Sequence, residues 1–240
     1  MAVVNFELLR VLATLCRTRE QASVSVDNGR AKRTLHVARG ELLAVDSSVA
    51  TERLGVQLAA EGKLDVELVV PLVNAARAAN RFFGDELVAQ GLLSHTDVAR
   101  AVERQTHARF DRALQMGGAI GAMRSPWIRP TYRAPLASVV VAAFRSRLPL
   151  GTATALVADV SPEHSRLRAE DLDVEELRLT APELRCWHRL ASGQDAAAIL
   201  DRASDGEVPV RLIAALIALG AIGDPGESIP EPLRRIAASA

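Results

Sequence analysis

The chain has 240 residues, 49% hydrophobic but only 3% aromatic, enough to bury a core that must be built from Leu, Val, Ile and Ala. Its 29 basic and 29 acidic residues cancel, so the basic excess expected of a general nucleic-acid or membrane-surface binder is missing. Cys16 and Cys186 are the two cysteines, and in apolar helical surroundings they read as buried thiols, which argues against a disulfide framework or a zinc site.

The opening, MAVVNFELLR, carries charge within its first turns and lacks a long apolar core. It predicts no signal peptide, and no uncharged run reaches membrane-spanning length, so the expected location is the cytoplasm. Leu8, Leu12, Leu15 and Cys16 then mark one face of an amphipathic helix. The period changes over residues 22–46, ASVSVDNGRAKRTLHVARGELLAVD. Val24 and Val26 alternate with polar residues, as do Leu35 and Val37, and Leu42 to Val45 complete a third apolar run. Asn28-Gly29 predicts a type I′ hairpin turn and Arg39-Gly40 a second turn, giving a three-stranded antiparallel meander.

From Ser47 to about Leu114 the period is helical, and the chain repeats itself. ERLGVQLAAEGKL (52–64) is followed by RFFGDELVAQGLL (81–93). Gly55 and Gly84, Leu58 and Leu87, Gly62 and Gly91, Leu64 and Leu93, and Val69 and Val98 each stand 29 positions apart. Each copy predicts a helix, a glycine turn and a second helix. Asp65 and Ser94 are the N-caps of the second helices, and Gly62 and Gly91 suit the left-handed residue after the first. Gly55 and Gly84 fall inside the first helices, where Gly costs roughly 1 kcal/mol against Ala. Their repetition points to a close helix–helix or helix–ligand approach, in two stacked helical hairpins.

Beyond residue 118, the run Ala119 to Met123 is expected to return as a strand to the meander. Pro126, Pro130 and Pro135 mark a domain boundary, with Pro135 opening a short helix through Phe144. Residues 149–170 read as irregular. Thr180-Ala181-Pro182-Glu183 is a capping box for a helix carrying Leu184, Trp187 and Leu190. A second helix is expected over about 195–202 and a third from Pro209 to Gly220, then a short strand at Ala221-Ile222. The fold class is α+β. The expected divisions are a domain at 1–124, a connector with one helix at 125–170, a winged-helix-like module at 171–223 and a looser tail at 224–240.

The order of helix, ARGELLAVDSS meander, ERLGVQLAAEGKL, FFGDELVAQGLLSHTDVARAVERQ and GGAIGAM return strand resembles the PATAN domain, over residues 4 to about 124. That resemblance implies a signalling adaptor of bacterial two-component and motility systems, without catalytic activity. The doubled hairpin also resembles the N-terminal domain of type II secretion and pilus ATPases. Some of those bind cyclic di-GMP through a tandem motif that opens Arg-Leu-Gly and ends in Gln. The resemblance would assign Arg53, Leu54, Gly55, Gly84 and Gln105 to that ligand. The first copy ends on Ala76 in place of Gln, and the second opens Phe82-Phe83-Gly84, departures that favour helix packing as the glycines' role.

Signatures of catalysis are missing. Gly117-Gly118-Ala119-Ile120 follows a helix and has no Lys-Ser/Thr pair after it, so it is no phosphate loop. His36, His95, His107, His164 and His188 are scattered; His107 and Asp111 share a helix face but read as solvated. Cys186-Trp187-His188 lacks zinc spacing, and Asp171, Asp173, Glu175 and Glu176 read as a solvated linker. Neither metal nor cofactor is expected. The helix VRLIAALIAL carries Arg211 as its one polar residue, which suits a protein interface or the first domain better than DNA. The expected function is a non-enzymatic regulatory adaptor that binds a protein partner through apolar helix faces, with self-association. Its contact residues would be Phe83 beside the hairpin glycines and Arg211, Leu212 and Leu216. The rivals are a cyclic di-GMP receptor and a transcription regulator acting through the C-terminal module.

Overall fold

The computed structural model describes residues 5–124, 130–158, 166–168, 172–201 and 206–222. Helix α1 (Phe6–Thr18) starts at Asn5, whose side chain accepts from the Leu8 N–H and donates to the Met116 carbonyl at 3.0 Å. One residue thus caps a helix and ties it to the other end of the first unit.

Strands β1 (Ala22–Asp27), β2 (Lys32–Ala38) and β3 (Glu41–Ser47) form the expected antiparallel meander. Its two turns are the reverse of what their sequences advertise. Arg39 and Gly40 both take positive φ (55° and 76°), so theirs is the two-residue turn of type I′ kind. At Asn28-Gly29 only the glycine does, and the loop runs over residues 28–31 between the paired Asp27 and Lys32. The Asn28 side chain accepts from the N–H groups of Arg30 and Ala31, an Asx-type turn that widens the loop to four residues.

Strand β4 (Ala119–Met123) returns antiparallel to β1 as expected. A two-residue strand β5 (Ala134–Pro135) pairs Glu41 and Leu42 of β3, giving the order β4-β1-β2-β3-β5. Helix α6 (Leu136–Ser146) follows at once, with Pro135 at its N-cap.

One face of the sheet carries Val24, Val26, Leu35, Val37, Leu42 and Val45, all 3% exposed or less. These pack with Leu8, Leu12 and Leu15 of α1, Phe110 and Leu114 of α5 (His95–Leu114), and Val140 and Phe144 of α6. Each such side chain contributes about 1.5–3 kcal/mol by leaving water. The same core continues without a break into α7 (Leu150–Ala158), α8 (Val174–Leu177), α9 (Ala181–Ala191), α10 (Ala196–Asp201) and α11 (Glu207–Ala218). Helix α11 lies against α1, α6, α7 and α9.

The Thr180/Glu183 capping box forms, and α9, α10 and α11 are the three expected helices. The strand expected at Ala221-Ile222 is instead a buried bend. Gly220 and Ala221 donate back to the carbonyls of Ile217 and Leu216 to close α11, and the Ala221 carbonyl accepts from Arg168. The N–H groups of Ala221 and Ile222 both turn back to the Leu216 carbonyl, so neither is free to donate to a wing strand. Helix α7 stands where irregular chain was expected, and the short α8 where Glu175 and Glu176 read as a solvated linker. Pro126, His164, Asp171 and the tail from 224 lie outside the described residues. Among those described, no helix is long and apolar enough to cross a membrane.

Candidate functional site: the stacked hairpins and their joint to the sheet

Four helices carry the repeat: α2 (Leu54–Ala60), α3 (Val66–Ala78), α4 (Phe83–Ala89) and α5. Both copies use the same local devices. Gly62 and Lys63 donate to the carbonyls of Ala59 and Leu58, and Gly91 and Leu92 donate to those of Val88 and Leu87. This paired helix ending needs a left-handed residue, and both glycines supply one, with φ of 69° and 67°. Asp65 then caps α3 through the Glu67 N–H, and Ser94 caps α5 through the Asp97 N–H.

The interior glycines do something else. A Cβ on Gly55 would lie 2.8 Å from Val69 Cγ1, and one on Gly84 would lie 2.6 Å from Val98 Cγ1. In each copy the bare stretch of the first helix receives a branched side chain from the second. Phe83 of the second copy also rests on Gly55, 3.0 Å from the same missing Cβ, and so stacks one hairpin on the other. Together they enclose a small separate core of Leu58, Leu64, Leu72, Leu87 and Ala101.

A buried ionic joint fixes this pair to the sheet. Glu52, 3% exposed, lies in the 3-10 turn Ala50–Glu52 just before α2. Its carboxylate accepts from Arg33 of β2 and pairs with Arg112 of α5 at 3.0 Å. Burial alone would raise its pKa, but hydrogen bonds from Arg33 and Ser47, together with the charges of Arg33 and Arg112, hold it below the usual carboxylate range. The Glu52 carbonyl accepts from Gln105 Nε2 at 2.7 Å and from Arg109, whose other terminal nitrogen reaches the Val45 carbonyl at 2.7 Å.

The residues singled out from the sequence therefore fall into three groups. Arg53 is exposed at the start of α2, and Leu54 is half-buried against the small core. Gly55, Gly84 and Phe83 come together, but the space over Gly55 is filled by Val69 and Phe83. Gln105 is buried, with its amide nitrogen holding the joint. Leu212 and Leu216 require a correction: at 1% and 0% exposed they belong to the main core and offer nothing to a partner. An all-apolar helix does not announce what covers it, and here the cover is the chain's own α1, α6, α7 and α9. Arg211 is turned onto the end of α6, donating to the carbonyls of Phe144 and Leu148 and pairing with Glu207.

Sequence reasoning missed the outward face of α3. Val66 and Val70, one turn apart, are 71% and 66% exposed, and Leu68 is 41% exposed. The signal was the run VELVVPLV, apolar on more of the helix than one hairpin can bury. Two polar clusters were also illegible. His107 is not solvated: its Nε2 meets the Tyr132 hydroxyl at 2.7 Å and its Nδ1 accepts from Arg147, which pairs with Asp111. Burial, then Arg147, lowers the His107 pKa. On the sheet, Ser23 Oγ meets His36 Nδ1 at 2.8 Å, and His36 Nε2 meets Asp46 at 2.9 Å. This looks like a nucleophile relay. Yet Ser23 and His36 are 6% and 9% exposed on paired strands, whose N–H groups serve the ladder rather than an oxyanion.

A cavity of about 400 Å³ is lined by Cys16, Arg17, Arg19, Glu176 and their neighbours, with Arg19 and Glu176 paired across it at 2.9 Å. Burial pushes the Cys16 thiol up to about 12, so it is no nucleophile. No three potential metal ligands cluster among the described residues. No protein family model, curated protein or solved structure matches the chain.

Proposed function

We propose that the protein is a non-enzymatic regulatory adaptor of the cytoplasm, which docks a protein partner on the outward face of α3. The observation that carries this is the pair Val66 and Val70, two-thirds exposed on a well-capped helix that is already packed along its Val69 and Leu72 edge. Covering those two valines would release apolar surface from water at about 25 cal/mol per Å², the contribution a helix-in-groove contact uses. The PATAN-like order of elements fits a signalling or motility setting. The joint at Glu52 supports an adaptor role, because it holds the hairpin pair firmly to the sheet.

The test uses the full chain as bait for proteins of its own cell, beside a Val66→Asp/Val70→Asp variant. Both substitutions are on exposed positions, so the fold should persist, as a thermal melt will verify. A partner retained by the native chain and lost by the variant is the expected result; equal retention would sink the reading. Calorimetric titration with cyclic di-GMP tests the nucleotide alternative. Micromolar binding that disappears in Arg53→Ala would replace the adaptor reading with a receptor.

A further inference from the structure

The sheet treats its two edges differently. At the β3 edge, Pro135 of β5 brings no donor, Tyr132 donates to the Leu43 carbonyl at 3.0 Å, and Arg109 takes the Val45 carbonyl. At the other edge, β4 is Ala119-Ile120-Gly121-Ala122-Met123, five residues with no charge and no proline. Its register against β1 runs from Ser23↔Met123 to Asp27↔Ala119 without a bulge, and no described strand lies beyond it. Ala119, Gly121 and Met123 are exposed, Met123 at 64%. Natural edge strands are usually blunted by Lys, Pro or a bulge, because a bare edge invites another strand. Gly118 fixes where this strand starts: a Cβ there would lie 2.3 Å from the Asp27 carbonyl oxygen.

We propose that β4 pairs antiparallel with β4 of a second copy, about a two-fold axis through Gly121, joining two five-stranded sheets into one. The sequence of the strand is what selects a second copy. Centring the pair on Gly121 is the register in which all five residues find a partner. It sets Ile120 opposite Ala122 on the core face and Met123 opposite Ala119 on the other, with glycine facing glycine at the axis. Each large side chain meets a small one on both faces, so the strand is its own steric complement. A five-residue strand pair is small beside the roughly 1,000 Å² of a stable interface, so this dimer assembles with rising concentration.

Sedimentation of the full chain from micromolar to near-millimolar concentration should show a monomer–dimer equilibrium. Gly121→Lys sets two like charges across the axis. It should weaken the dimer at least tenfold, and more at low salt. The added Cβ meets only Ser25 Oγ, at 3.1 Å, and a side chain there can turn away. Cysteine substitution reads the register independently. Opposed residues of an antiparallel pair have Cα atoms about 4.5–5.5 Å apart, within disulfide reach. Gly121→Cys should oxidise to a covalent dimer by itself, whereas Ala119→Cys and Met123→Cys should cross-link only when mixed. A monomer at every concentration, a dimer indifferent to Gly121→Lys, or Ala119→Cys linking alone as readily as Gly121→Cys would each overturn the proposal.

Discussion

Gly84 and Gly62 are both glycines of the repeat, and substituting alanine at each should fail for different reasons. At Gly84 the new methyl would press on Val98 Cγ1, on a branched side chain with one favoured rotamer in a helix. Overpacking of that kind costs about 1–3 kcal/mol, offset by the roughly 1 kcal/mol that alanine gains in a helix interior. Gly84→Ala should therefore lose about 1 kcal/mol in urea unfolding. A double-mutant cycle with Val98→Ala should show a coupling above 0.5 kcal/mol. At Gly62 nothing lies within 4 Å of the missing Cβ, so only the left-handed backbone resists. Gly62→Ala should cost about 1–2 kcal/mol with no coupling to Val69. The repeat spacing alone left open whether a helix or a ligand approaches Gly55 and Gly84, since both want the same bare surface. The clue was the valine fourteen positions after each glycine, which the packing turns into a contact. Glu52 gave no such clue, because its arginines come from residues 33 and 112, far off in the chain. Its folded carboxyl has a lowered pKa, so it stabilises the fold above the unfolded value of about 4.3 and loses that effect as pH falls through the folded one. Glu183, buried but held down by Arg145 and Thr180, acts in the same direction. Urea midpoints should begin to fall below about pH 6.5, where His107 takes up a proton more readily in the unfolded chain, and should drop more steeply below about 5 as the carboxylates follow. Glu52→Gln should cost about 3–5 kcal/mol at neutral pH, because it leaves Arg33 buried without its counter-charge, and it should soften the acid drop.

Elements were more legible than the surfaces they present. Period and capping chemistry located α1, the meander, the four hairpin helices and α9, because those signals are local. The turns show the limit of locality. Asn-Gly is the stronger type I′ signature, yet the Asn28 side chain captured two backbone N–H groups and took a wider loop, while Arg39-Gly40 made the tight turn. Helix α11 shows a second limit. Its sequence is apolar all round, and only the packing of α1, α6, α7 and α9 around it decides that Leu212 and Leu216 are core. Leu212→Ala should accordingly cost about 2–5 kcal/mol of folding stability, a loss that a partner-binding residue would not produce. Arg211→Ala should cost about 1–2 kcal/mol by freeing the carbonyls of Phe144 and Leu148, two acceptors at the end of α6. Thermal unfolding of both variants separates this account from the interface role that the sequence suggested.

At the scale of the molecule, the prolines between 125 and 135 suggested a break that the core does not have. Leu8, Phe144, Trp187 and Leu216 belong to one continuous apolar cluster, so the C-terminal helices complete the core of the sheet. The real division runs elsewhere. The hairpin pair has its own small core, and α5 spans both, with Ala101 in the small one and Phe110, Ala113 and Leu114 in the large one. Sequence periodicity cannot show that division, because α5 reads as one unbroken helix of 20 residues. Five buried residues support the small core, against several times that number in the large one, so the hairpins should open first. Amide hydrogen exchange should show α2, α3, α4 and the N-terminal half of α5 exchanging together, with a lower opening free energy than β1, β2 and the C-terminal half of α5. Weakening the joint should sharpen the difference: Glu52→Gln should lower protection in the hairpins more than in α11. Equal protection across both cores would mean that the joint merges them into a single cooperative unit, and α3 would then reach its partner as part of a rigid body.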